Sequence, residues 1–293
     1  MISPKTIHGR IADALIYLVM IVLSVIFLYP LLYVLFQSIS DPNELVRHRG
    51  LLLAPAGLSS IAYKAVLSNP QILSGYKNTL FVLAVGLCLN IVLTSIGAYF
   101  LTRTKTLLYK PVMLMILISM YFSGGLIPTF LTVRSLGMYN SLWALIIPSA
   151  ISTYNLILLR SYFASIPESL VESVSIDGGG HWTILFGIFI PLSKAAMAVM
   201  ILYYGVGHWN SWFNAMIYLR KASSFPLQLI LRNMLIEGSA LDVNALEAGA
   251  NYNDLSTVVK AATIIVATLP ILCIYPFLQK YFVGGLMIGS LKG

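Results

Sequence analysis

Residues 166–192 read IPESLVESVSIDGGGHWTILFGIFIPL, a polar, glycine-broken interruption between long apolar runs. Pro167 suits a first helical position, and Glu168 and Glu172 follow where the positive end of a helix dipole favours acids. Asp177, Gly178, Gly179 and Gly180 then end the helix, because successive glycines carry a large backbone-entropy cost and admit positive φ. Beyond them Trp182, Leu185, Phe186 and Phe189 recur at spacings of three and four, which predicts a second helix with one apolar face before Pro191–Leu192 opens the next apolar run. Two short amphipathic helices hinged at Gly178 form a surface element suited to docking an outside partner. The bland alternative is a connector lying on the lipid surface.

The flanking sequence sets the class. With 58% hydrophobic and 10% charged residues and a mean hydropathy of +0.87, the chain of 293 residues has too little polar surface to coat a soluble domain. It is predicted to be an all-α integral membrane protein, a single domain over 1–293 with about six transmembrane helices. The spans run from Ile11 to Phe36, Thr79 to Leu101, Pro111 to Leu131, Ser141 to Tyr162, Ala195 to Trp212 and Leu255 to Phe277. Each approaches or exceeds the roughly 20 residues that cross the hydrocarbon core. Between them lie a loop over about 163–191 and two longer segments over about 37–78 and 213–254. The first apolar run is longer than the roughly 7 to 15 residues of a signal-peptide core, so it is expected to be an uncleaved anchor.

Several functions are excluded by what is missing. No Gly-x-x-x-x-Gly-Lys-[Ser/Thr] loop exists to cradle nucleotide phosphates, so the chain does not hydrolyse ATP itself. Asp13, Arg103, Arg160, Lys194 and Lys260 all fall at or near span edges, whereas proton-coupled carriers place ionisable groups at mid-depth. Cys88 and Cys273 fall within apolar runs and behave as small apolar side chains. Neither they nor the histidines offer metal-ligand spacing, and no catalytic cluster is expected. The net charge of +8 is met equally by anionic lipid or by an acidic solute.

The spacing in 166–192 resembles the signature loop of binding-protein-dependent ABC importer permeases. Glu172-Ser173-Val174 stands at its Glu-Ala-Ala, Asp177-Gly178 at its Asp-Gly, and Ile188 to Leu192 at its apolar-x-Leu-Pro close. Ser173 and Val174 depart from the two alanines, and Gly179 from the alanine after the glycine. The stretches FSGGLIPTFLTVRSLGMYNSLWALIIP (122–148), YYGVGHWNSWFNAMIYLR (203–220) and YPFLQKYFVGGLMIGSLKG (275–293) resemble the polysaccharide-type branch of sugar importer permeases, which includes lipoprotein- and aldouronate-type systems. Within that branch the chain is similar to the smaller permease subunit of alginate importers.

The resemblance implies a multi-pass protein of the bacterial cytoplasmic membrane with both termini inside. It implies a cytoplasmic coupling loop in which Glu168, Glu172, Asp177, Gly178 and Trp182 meet an ATPase. The implied partners are a second, homologous permease, two ATPase subunits that carry ATP and Mg, an extracytoplasmic solute-binding protein, membrane lipid and an oligosaccharide, acidic by first choice and neutral by second. No nucleic acid is expected, nor any cofactor or metal on this chain. Candidate pathway residues come from the sequence. Trp209, Asn210, Trp212 and Asn214 alternate aromatic faces with amides, a surface that suits sugars and equally a membrane-interface belt. Tyr121 and Ser123 precede Gly124 and Gly125 at an expected kink, and Tyr154 and Asn155 add polar groups to the fourth span. The remaining alternatives are a secondary transporter and an exporter subunit.

Overall fold

The computed structural model describes residues 7–104, 106–237 and 252–290, and every regular element among them is a helix. Internal contacts divide the chain into two compact units. The first comprises 1–69 and 233–268, the second 70–232 and 269–293.

In the first unit α1 (Ile7–Ile39) exposes apolar side chains on all sides from Ile11 to Leu31, the pattern of a helix whose solvent is lipid. It overruns the predicted Ile11–Phe36 span at both ends. Residues 37–78 hold the end of α1, then α2 (Pro42–Arg47), α3 (Ile61–Ser68) and the opening turns of the next helix. Asp41 caps α2, its carboxylate accepting from the Asn43 amide at 2.9 Å, and Ser38 Oγ bonds Tyr63 OH at 2.9 Å to tie α1 to α3. The last long helix, α15 (Tyr252–Ser290), outruns the predicted Leu255–Phe277 and buries Leu255, Val258, Val259 and Ala262 in helical register. Residues 238–251 of the predicted 213–254 segment lie outside the described residues.

The second unit is built around α4 (Pro70–Phe100), which buries Ile72, Gly75, Thr79, Val82, Gly86, Asn90 and Thr94 as one stripe at spacings of three and four. That stripe mixes small and polar residues with apolar ones, while Leu73, Leu80 and Phe81 face outward. Lipid inverts the soluble rule: close packing and interhelical hydrogen bonds hold helices together where no hydrophobic drive exists.

Two of the predicted spans are not straight, and a third bend stands just before the predicted Ala195–Trp212 span. α5 (Tyr109–Tyr121) and α6 (Leu126–Ser135) turn by 119° across Phe122–Gly125, where Gly125 adopts φ +83° and its amide donates to Ser123 Oγ at 3.2 Å. The predicted Pro111–Leu131 span is therefore two helices, because the left-handed residue admits a reversal and not merely a kink. α7 (Trp143–Ile146), extended by a 3₁₀ turn to Ser149, meets α8 (Thr153–Phe163) at 48°, and residues 181–192 meet α12 (Lys194–Trp209) at 85°.

The break before α8 would strand backbone groups in an apolar interior, and four side chains satisfy them. Asn90 Nδ2 donates to the carbonyls of Ser149 at 2.7 Å and Ala150 at 2.9 Å, while His208 Nε2 donates to Asn90 Oδ1 at 2.7 Å. The Ser152 amide donates to Tyr204 OH at 3.0 Å, and Tyr204 OH pairs with Thr94 Oγ1 at 2.7 Å. Gly86 makes room for this, since a Cβ there would stand 2.7 Å from His208 Nε2. Non-helical backbone survives at membrane depth only where protein re-satisfies it.

Candidate functional site

The 166–192 element folds as two helices joined at a glycine. α9 (Glu168–Ile176) begins one residue later than the sequence suggests, with Pro167 at the cap position and Glu168 in the first turn. Its end is a complete Schellman motif: Gly178 has φ +79°, its amide reaches the Ser175 carbonyl at 3.2 Å, and the Gly179 amide reaches the Val174 carbonyl at 2.8 Å. A Cβ on Gly179 would collide with Val174 Cγ1. The Ala-to-Val and Ala-to-Gly departures from the signature thus offset each other in one volume.

The second helix comprises α10 (His181–Ile184), a π turn over Leu185–Phe189 and α11 (Ile190–Leu192). Sequence spacing predicts one apolar face, but the structure makes two. Ile184, Leu185 and Phe189 join Val171, Phe163, Leu159 and Leu101 in a buried cluster, while Trp182, 63% exposed, and Phe186 stack on each other outside with ring centroids 6.1 Å apart. The π turn shifts the register, so a 182–185–186–189 pattern cannot stay on one side. In α9, Val171 is buried, whereas Leu170 is exposed and Ile176 is 85% exposed. Glu172 and Asp177 are exposed beside them. The element therefore pairs a rooted face with an acidic and aromatic outer one.

Its root is the far end of α4. Tyr99 OH bonds His181 Nδ1 at 2.9 Å, and the Arg103 guanidinium lies 4.8 Å over the Tyr99 ring and 5.5 Å over Phe189. Arg160 donates from Nε to the Leu101 carbonyl at 3.1 Å and from Nη2 to Tyr109 OH at 3.0 Å, so α8 and α5 are pinned at the same end. A cavity of about 480 Å³ opens here, lined by Thr102, Arg103, Thr104, Thr106, Glu168 and His181 among others.

The opposite end of α4 carries different chemistry. Asn78 Nδ2 donates to the carbonyls of Ser223 and Phe225, and Tyr76 packs edge-on against Trp209. From Asn78 to Tyr99 the helix rises about 32 Å at 1.5 Å per residue, close to the roughly 30 Å of a hydrocarbon core. The two ends of this unit are a membrane's thickness apart.

The pathway candidates fall at three places. Trp209, 4% exposed, is packed at the end of α12, while Asn210, Trp212 and Asn214 are exposed at the turn into α13 (Phe213–Tyr218). Tyr121 and Ser123 are exposed at the α5–α6 reversal. Tyr154 is exposed and lies 6.4 Å from Tyr203, whereas Asn155 is 6% exposed, its amide donating to Ser152 Oγ. Sequence reasoning passed over Arg232, which the structure lays 5.3 Å over the Trp212 ring from α14 (Leu227–Glu237). Twenty residues separate the two in the chain, so no spacing rule links them. Among the described residues no group of three or more His, Cys, Asp or Glu is placed to hold a metal.

No family model matches the sequence. Individual relatives do. Over 285 residues the chain is 38% identical to the polygalacturonan/rhamnogalacturonan transport system permease protein YtcP of Bacillus subtilis (strain 168), covering 97% of this chain and 99% of that one. It is 36% identical over 289 residues to protein LplC of the same strain, covering 99% and 97%. Among solved structures, a chain from a bacterial ABC transporter involved in the import of the acidic polysaccharide alginate matches with a TM-score of 0.88 at 31% identity, covering 94% of this chain and 98% of that chain. The chain belongs to the permease family of sugar-transporting ABC importers. It is a non-catalytic membrane subunit, which sets aside the secondary-transporter and exporter readings.

Proposed function

We propose that this permease carries acidic oligosaccharides, rich in uronic acid, into the cytoplasm by alternating access, with the work supplied by separate ATPase subunits. The acidic cargo is supported by one relative named for polygalacturonan/rhamnogalacturonan transport and by the solved transporter involved in the import of the acidic polysaccharide alginate. The observation that carries the mechanism is the two-faced element 166–192. Its inner face is locked to α4 through Tyr99 and His181, and its outer face offers Glu168, Glu172, Asp177, Ile176 and Trp182 around the Gly178 hinge. An element rooted that firmly transmits a push from a docked partner into the spans.

The assembly pairs this chain with a second permease, two ATPases that bind ATP and Mg, and an extracytoplasmic solute-binding protein. Both termini face the cytoplasm, as does 166–192. Closure of the ATPases on ATP moves the docked element, the spans open outward to the loaded binding protein, and hydrolysis resets them. The test is reconstitution of the whole complex with its binding protein and a panel of glycans. Stimulated ATP hydrolysis with uronate oligomers is expected, and stimulation only by neutral oligosaccharides overturns the acidic reading. Gly178→Asp in an assembled complex is expected to retain ATP hydrolysis and lose uptake. Unchanged uptake would remove the docking role.

A further inference from the structure

We propose that the cavity beside Arg103 and the apolar groove adjoining it hold one membrane phospholipid with an ethanolamine headgroup, its phosphodiester on Arg103 and its ammonium on Glu168. The inference needs neither the cargo nor the ATPase docking proposed above, only that the second unit crosses a bilayer. Arg103 is the starting point. Its Nε and Nη2 are buried with no hydrogen-bond partner, and the guanidinium rests only against the rings of Tyr99 and Phe189. A buried donor left unpaired costs about 1–3 kcal/mol, more on a charged group. Such a side chain gains by turning its fork into the cavity it lines, once an oxyanion is there to accept.

Two spaces meet at this side chain. The first, of about 480 Å³, is polar, with the exposed hydroxyls of Thr104 and Thr106, His181 and Glu168 lining it beside Arg103. The second, of about 410 Å³, shares Arg103, Thr106 and His181 with the first and is otherwise walled by apolar and aromatic side chains, Ile96, Phe100 and Leu185 among them. Ile96 and Phe100 are one turn apart on α4, so the groove leads from Arg103 back along the helix, the direction an acyl chain takes from the edge of a bilayer into its core. A free phosphate would leave that groove empty. The charges then select the headgroup. Among the described residues Glu168 is the one acid in the cavity lining, and neither Nε nor Nη2 of Arg103 reaches its carboxylate. An anionic headgroup satisfies Arg103 but sets a like charge near Glu168, and choline has no N–H to offer a carboxylate. Ethanolamine answers both residues with one zwitterion. Val171 and Phe189 of the 166–192 element line the same cavity, so the headgroup sits at the root of that element.

The test is native mass spectrometry of the delipidated, assembled transporter titrated with palmitoyl-oleoyl phosphatidylethanolamine, phosphatidylglycerol or phosphatidylcholine, with and without inorganic phosphate, for wild type, Arg103→Gln and Glu168→Gln. Wild type is expected to hold phosphatidylethanolamine in a saturable site at least about tenfold more tightly than either other lipid, in line with one hydrogen bond to a charged group. Arg103→Gln is expected to weaken all three lipids at that site at least about tenfold, and Glu168→Gln to remove only the preference for ethanolamine. Retention by Arg103→Gln equal to wild type overturns the proposal, as does a wild type that holds phosphatidylglycerol or phosphatidylcholine as tightly as phosphatidylethanolamine, or that shows no saturable site. Displacement of the lipid by inorganic phosphate also overturns it and makes the cavity a site for a soluble anion. Should Arg103→Gln fail to assemble, Glu168→Gln decides in its place, and an unchanged preference for ethanolamine overturns the proposal. The cargo reading stands or falls separately, since no glycan enters these titrations.

Discussion

Val174 Cγ1 fills the volume in which an alanine methyl at position 179 would stand, so the two side chains are one packing decision. Gly179→Ala is expected to strain the Schellman turn by about 1–3 kcal/mol, the usual range for overpacking. Val174→Ala in the same chain should relieve the side-chain part of that strain, leaving the contact with the Val174 carbonyl, 2.9 Å from such a Cβ. Thermal unfolding of all four combinations in detergent measures the coupling, and additive effects would refute the shared volume. Gly178 differs because its hypothetical Cβ meets nothing within 4 Å. The penalty for Gly178→Ala is then backbone strain alone, about 1–2 kcal/mol, and no second-site change should relieve it. At mid-membrane, Asn90→Leu strands the Ser149 and Ala150 carbonyls and the His208 donor. A loss of roughly 1–3 kcal/mol for each group left unpaired is expected in the same unfolding measurement.

The 166–192 element owes its two faces to the π turn at Leu185–Phe189, and the faces should separate experimentally. Leu185→Ala empties a site in the buried cluster and is expected to lower stability by about 2–5 kcal/mol. Trp182→Ala and Phe186→Ala act on exposed rings, so stability should stay within about 0.5 kcal/mol. Affinity for the ATPase subunits, followed by co-elution, should instead fall at least about tenfold, as for removal of an aromatic anchor. Destabilisation by Trp182→Ala with normal ATPase binding would reverse the assignment of the faces.

Across the second unit, α4 separates the end that carries the 166–192 element, with its exposed Glu172 and Asp177, from the end that carries Trp212 and Lys221 by about the thickness of a bilayer. Topology labelling tests the separation. In a background with Cys88 and Cys273 replaced by serine, Glu172→Cys should react with an impermeant maleimide only in inside-out vesicles, and Lys221→Cys only in right-side-out ones. Labelling of both from one side would contradict the arrangement of the second unit as membrane-crossing.

Composition and runs of apolar residues were sufficient for the class, because a bilayer demands about 20 apolar residues per span and few sequences satisfy that by chance. The glycine hinge was legible for a similar reason: Asp177–Gly178–Gly179–Gly180 leaves a helix no other course. Local chemistry could not disclose that Pro111–Leu131 reverses by 119°, that the helix after Gly180 has two faces, or that Asn90 bridges a break in a helix about 60 residues further along. Nor could it bring Arg232 to Trp212. The Asn90 bridge and the Arg232–Trp212 contact depend on partners distant in the chain, since a carbonyl released in lipid or a guanidinium beside an indole is stable only when tertiary packing supplies the group that completes it.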